Sequence, residues 1–184
     1  MVSVEISFPG GRYHATPWGR DVNEGEVEWP PSPWRLVRAL VATWHQRLSE
    51  EEGDQATLER VVLALGSAPP VYRLPPAILS HTRHYMPQRE THKGKTRLVF
   101  DAFARVGEEP LIIAWPHLEL TENQQDLLQL LLSRLGYLGR AESWVDARLV
   151  RDGDEITPNC VLMEEGPVPD DRVDPVHPDR RERP

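Results

Sequence analysis

Proline sets the grain of this chain. Eighteen of its 184 residues are Pro, and each one fixes φ and removes a backbone donor, so it ends or kinks a regular element. The pairs Pro30-Pro31, Pro69-Pro70 and Pro75-Pro76 cut the sequence into short pieces joined by rigid corners. That argues against long regular helices. A hydrophobic content of 39% suffices for one core, and the length suits one domain of ordinary size with a tail.

Between the corners the pieces read clearly. In "VSVEISF" the residues Val2, Val4, Ile6 and Phe8 alternate with Ser3, Glu5 and Ser7, the pattern of a half-buried strand, and Pro9-Gly10-Gly11 ends it. Residues 12–31 are irregular, with aromatic corners at Pro17-Trp18-Gly19 and Trp29-Pro30-Pro31. Ser32-Pro33 then opens a helix, as N-cap and first helical residue. Its expected buried stripe is Trp34, Val37, Val41, Trp44 and Leu48, with Arg35 and Arg38 beside it. A shorter helix follows near 55–65, with Leu58, Val61, Val62 and Leu65 inward.

Residues 77–86 and 96–106 read as the two strands of a long β-hairpin with a basic tip. "PLIIAW" is a short apolar strand. Thr121 and Gln124 form a capping box for a helix that buries Leu127, Leu128, Leu131 and Leu135 and closes at Gly136. "WVDARLV" alternates as another strand, and "CVLM" suggests a further one. From 164 on, Pro and Asp dominate, so we expect a domain over 1–163 and a linker or tail over 164–184. The order strand, helix, strand, strand, helix, strand is the ferredoxin-like βαββαβ pattern of an α+β fold, with an extra helix and an enlarged central hairpin.

Charge narrows the function. The chain carries a formal −8, which opposes indiscriminate nucleic-acid binding but leaves room for a local basic path. That path is "SHTRHYMPQRETHKGKTRLVF". Between His81 and Arg97 lie five Lys or Arg, three His and one Glu. Cations for phosphates, with Tyr85, Met86 and imidazoles between them, is the composition that single-stranded RNA binding needs. "HKGKTR" is not a P-loop, since position 89 is Arg and a strand follows. His81, His84 and His92 are too loosely spaced, with no Cys partner, for a zinc site, and no metal or other cofactor is expected. The same histidines with Tyr85 and Lys93 contain the residue types of a metal-free ribonuclease. Arg12, His14 and Arg20 follow the first strand, and Trp18 stands in a loop. Arg140 lies in the glycine loop "GYLGRAES", beside backbone N–H groups that can hold a phosphate. Cys160 is the only cysteine, so no internal disulfide forms and a reducing, cytosolic compartment is the natural reading. The N-terminus lacks the pattern of a signal peptide, and no apolar run approaches the ~20 residues of a membrane span.

The run "FPGGRYHATPWGRDVNEGEVEWPPSPWRLVRALVATW" resembles the N-terminal half of the fused RAMP subunit of type I-G (formerly I-U) CRISPR Cascade, in which a Cas five-type domain precedes a Cas six-type nuclease domain. The resemblance continues at "SHTRHYMP", "KTRLVFDAF" and "LGYLGRAESW". It implies a ferredoxin-like RAMP fold with a hairpin thumb, here residues 80–105. It implies a cytoplasmic, prokaryotic, non-catalytic subunit that holds the five-prime handle of the CRISPR RNA (crRNA) and caps the filament of Cas seven-type backbone subunits. The Cas eight-type large subunit docks nearby, and target DNA is met only through the complex. The nuclease activity belongs to the Cas six-type domain, which this sequence does not include.

Carried onto this chain, the RNA contacts expected in the N-terminal region are Arg12, His14, Trp18, Arg20, Arg35 and Arg38. Those of the thumb are His81, Arg83, His84, Tyr85, Arg89, Lys93, Lys95 and Arg97, and the glycine loop adds Tyr137 and Arg140. Position 21 is Asp where the family pattern suggests a basic or His residue. The alternative expectation is a metal-independent endoribonuclease that processes precursor crRNA with Tyr85, His84 or His81, and Lys93.

Overall fold

The computed structural model describes residues 1–21, 24–49, 52–87, 96–150 and 156–162. Strand β1 (Val2–Ser7) leads through a Gly-rich turn to the two-residue β2 (Arg12–Tyr13). Helices α1 (Pro33–Arg47) and α2 (Gln55–Gly66) follow, then β3 (Val71–Arg73). The strands β4 (Ala77–Pro87) and β5 (Thr96–Val106) form the hairpin, and β6 (Leu111–Trp115), α3 (Glu122–Ser133) and β7 (Asp146–Val150) complete the chain.

The result is an α+β fold with two antiparallel sheets. The first has the order β3-β6-β1-β7, and the second β2-β5-β4. Alternation along β1 puts Val2, Val4 and Ile6 on the same face as Trp115, Ile113 and Leu111 of β6. The three helices cover that face with Leu36, Leu40, Leu58, Val61, Leu65, Leu128 and Leu131, all buried. The indole of Trp115 donates to the Leu65 carbonyl at 3.1 Å, which satisfies a polar atom that burial would otherwise penalise.

The expected strand–helix–strand–strand–helix–strand order is present, but different strands carry it. In chain order the second and third strands of the four-stranded sheet are β3, at its edge, and β6, and the long hairpin is an insertion between them that pairs instead with β2. The four residues between two proline pairs, three of them in β3, are too few to show a period, so β3 leaves no mark in the sequence. "CVLM" is not a strand among its described residues; Cys160 makes one isolated bridge to Tyr72. Residues 163–184, including the expected tail, lie outside the described part.

The helix starts are as expected. The Ser32 hydroxyl accepts from Arg35 N–H with Pro33 next to it, and Thr121 with Gln124 forms a capping box. The stripe of α1 is rotated, however. Leu36, Val37, Leu40 and Thr43 are buried, whereas Trp34 is 59% exposed. The core takes the aliphatic side chains and leaves the indole outside. Helix α3 stops at Arg134 rather than at Gly136, and there the Arg47 and Arg134 guanidinium groups each donate to the other's backbone carbonyl.

One carboxylate locks the irregular segment onto this frame. Glu28 accepts from the Tyr13 hydroxyl at 3.0 Å, the Ser32 N–H at 2.9 Å, and Arg35 through Nε at 2.7 Å and Nη2 at 2.8 Å. Arg35 also donates to the Thr16 carbonyl at 2.8 Å. Burial alone would raise the Glu28 pKa, but hydrogen bonds from Arg35 and Ser32 outweigh it and hold the carboxyl below its ordinary value. Replacing Glu28 by Gln should cost about 2–4 kcal/mol, because largely buried donors lose a charged acceptor. A lowered folded pKa contributes stability above the ordinary carboxylate range and loses it as pH falls through the folded value. Urea denaturation of both proteins at pH 7 and pH 3 checks this: the gap should narrow at pH 3.

Candidate nucleic-acid interface

The uncovered face of α1 carries Trp34, Arg38 and Ala42 at four-residue spacing, with Arg35 and Ala39 beside them. The short side chains of Ala39 and Ala42 make a floor. One wall is the loop Thr16–Arg20, held to α1 by Arg35, and the other is the segment from Leu135 to Gly139. The cleft between them measures about 540 Å³. Three aromatic rings stand exposed at it: Trp18 at 84%, Trp34 at 59% and Tyr137 at 43%.

The arginines at this cleft differ in what they can offer. Arg35 is spent on Glu28 and Thr16, so its expected role as an RNA contact gives way to bracing the wall. Arg20 lies 3.1 Å from Glu26 and 3.6 Å from Glu24. Arg38 is exposed and has no ion pair among the described residues, so its guanidinium is open to a phosphate. Trp34 and Arg47 also line the cleft and were not among the expected contacts. The signal for Trp34 was the spacing 34, 38, 42, out of phase with Leu36, Val37 and Leu40.

The glycine loop is fastened to the segment after β2. Arg140 N–H donates to the His14 carbonyl at 2.8 Å, and His14 N–H donates to the Ser143 hydroxyl at 2.8 Å. Gly139 has φ +88°, and a Cβ there would meet the His14 carbonyl oxygen at 2.5 Å. Of the loop's backbone N–H groups, expected to be able to hold a phosphate, those of Leu138, Arg140 and Ser143 are used inside the fold. His14, expected as an RNA contact, is buried with its imidazole Nδ1 2.8 Å from Glu142 and 3.3 Å from Asp101. Two carboxylates 128 and 87 positions away in sequence pull it inward. The Arg140 side chain remains partly exposed, 3.3 Å from Asp101.

The ligand atoms of His14, Asp101 and Glu142 lie within 4.8 Å of one another, close enough to hold a metal ion. The imidazole N–H and the Arg140 guanidinium already answer these carboxylates, so we assign no metal there.

Register sorts the hairpin into two faces, since directly opposed residues share a side. One carries His81, Arg83, Tyr85, Leu98 and Phe100, with the Arg83 guanidinium 5.5 Å from the Phe100 ring centre. The other carries Thr82, His84, Met86, Arg97 and Asp101, and at its root Arg12 and Arg105 directly opposed. Arg12 sits 4.3 Å over the ring of Phe103. His81, Arg83, His84, Tyr85 and Arg97 are all exposed. His81 and His84 point to opposite sides and do not converge on a metal, and His84 lies away from Tyr85. Arg89, His92, Lys93 and Lys95 lie outside the described residues.

No protein-family model matches the chain, and no curated protein does. Among solved structures, a Cas6 protein of Thermus thermophilus is similar at a TM-score of 0.39 and 14% identity. The match covers 80% of this chain and 53% of that one, so the chain spans about half of that protein's length. No helix among the described residues is long and apolar enough to cross a membrane.

Gly139→Ala should lower stability by about 1–3 kcal/mol, through a strained φ and a backbone clash. Thermal unfolding checks it. A melting point unchanged within error would refute the tight fit of the loop on His14.

Proposed function

We propose that this chain is a non-catalytic RNA-binding subunit, the Cas five-type domain of a type I-G CRISPR Cascade complex, and that it holds the five-prime handle of the crRNA. The observation that carries the reading is the cleft: three exposed aromatic rings around a floor of small residues, with Arg38 among them and without an ion pair to the described residues, on an acidic protein. Flat rings take unstacked bases and the guanidinium takes the phosphate between them, which is how single strands are held without a duplex. The hairpin adds Arg83, Tyr85 and Arg97 on a projecting arm, the thumb of the reading. The connectivity of the four-stranded sheet fits the ferredoxin-like RAMP fold that the sequence resemblance implies.

On this reading the domain caps the filament of Cas seven-type backbone subunits, with the Cas eight-type large subunit beside it and target DNA reached through the complex. The setting is the prokaryotic cytoplasm.

The test is fluorescence anisotropy with labelled repeat-derived RNA and a scrambled control, over a salt series. Binding should prefer the repeat RNA, with a log–log salt slope of about −0.7 per phosphate contacted. Trp18→Ala and Trp34→Ala should each weaken it by about 1–3 kcal/mol, the worth of one stacked base. Arg38→Ala should reduce the salt slope by about one phosphate's share. Full affinity in the Trp18→Ala/Trp34→Ala double variant would refute the cleft as the RNA site.

One observation favours the endoribonuclease alternative: His81 and Tyr85 share the exposed hairpin face. It predicts defined cleavage of repeat RNA in EDTA that is lost on His81→Ala. Intact RNA after long incubation would dismiss it.

A further inference from the structure

The cluster at the root of the hairpin does more than fasten the glycine loop. One imidazole nitrogen, His14 Nδ1, faces two carboxylates, at 2.8 Å from Glu142 and 3.3 Å from Asp101. One carboxylate oxygen, Asp101 Oδ1, lies 3.3 Å from both the imidazole and Arg140 Nη1. Nδ1 carries a single hydrogen, and the shorter contact gives it to Glu142. With a neutral imidazole, Asp101 therefore depends on Arg140 for its counter-charge.

Among the described residues the Arg140 side chain is held by one long contact, and it is 42% exposed, whereas His14 is 4% exposed and cannot reach a ligand itself. Arg140 is next in sequence to Gly139, which lines the cleft, and its partner Asp101 is on the hairpin. It stands where a strand running from one to the other would pass.

Resting on the RNA-binding reading, we propose that Asp101 and His14 are positioning residues for Arg140: an RNA phosphate draws Arg140 away from Asp101, and His14 takes up a proton from solvent to replace the lost counter-charge. The bond exchange is simple. The guanidinium N–H leaves the Asp101 carboxylate for a phosphate oxygen, and the imidazole gains a second N–H. The other charged groups near His14 do not compensate Asp101. Glu142 is itself an anion and already accepts from Nδ1. Arg12, two residues earlier on the strand, lies over Phe103 and is opposed by Arg105. Glu28 is engaged by Tyr13, Ser32 and Arg35.

Proton uptake on binding makes affinity rise as pH falls, by at most tenfold per pH unit for one proton. The experiment is anisotropy with the repeat-derived RNA at pH 6, 7 and 8 and constant ionic strength, on the chain and on His14→Gln. The chain should gain affinity toward pH 6, and His14→Gln should be flat. Equal pH slopes in both would overturn the proposal and point to exposed His81 or His84.

Asp101→Asn gives a second reading that does not depend on the folding of His14→Gln. With the carboxylate neutral, Arg140 is released and no proton is needed. Its affinity at pH 8 should exceed that of the unmodified chain, and its pH slope should vanish. Weaker binding by a folded Asp101→Asn would show that Asp101 is only structural. Binding that is tight but independent of pH overturns the proposal alone, whereas no binding at any pH overturns the RNA-binding reading with it.

Discussion

The Glu28 carboxylate is the constraint on which the cleft depends. It gathers a core tyrosine, the first residues of α1 and, through Arg35, the carbonyl of Thr16. Without it Arg35 would lose the partner that aims it at Thr16, and the Thr16–Arg20 wall of the cleft would lose its brace to α1. Burying a carboxylate and a guanidinium together gains little net stability, since desolvation offsets most of the attraction. What it supplies is a single geometry: the fork of Arg35 fits one arrangement of Glu28, and Trp18 is displayed accordingly.

On the proposed reading, the four-stranded sheet is not what carries the RNA. Its face opposite the core carries Ser3, Glu5 and Ser7 on β1, Ile112 and Ala114 on β6, and Asp146 and Arg148 on β7. Sheets that bind RNA by stacking do so with aromatic residues on the open face, and these positions hold none. The rings lie instead on the helix face, the loops and the hairpin, so a bound strand would run beside the sheet rather than across it.

Much of this was legible in the sequence where the signals are local. Ser32-Pro33, the Thr121–Gln124 box and the alternation in β1 and β7 each express a rule that acts within four residues. The hairpin strands were legible for the same reason, and so was the composition of their basic segment. The errors arose where distance along the chain decides. Trp34 is apolar and at helical spacing, yet Leu36 and Val37, two and three positions on, fill the core in its place. Nothing near His14 in the sequence shows that Glu142 and Asp101 will meet it. β3 pairs only because β6, some forty residues later, offers an edge.

The second sheet has a mechanical property of its own. β2 pairs with β5 only at Arg105 and Ala104. From there outward the hairpin is a ribbon of two strands, residues 80–87 against 96–103, or about 27 Å at the usual rise per residue. A two-stranded ribbon has little stiffness beyond its own ladder, so its direction is set where it is clamped. The clamp is the stack of Arg12 on Phe103 and the Asp101 contacts. In such a cantilever a small rotation at the base is magnified along the length. The angle at which the far end meets another molecule is therefore decided by a few side chains buried near the opposite end.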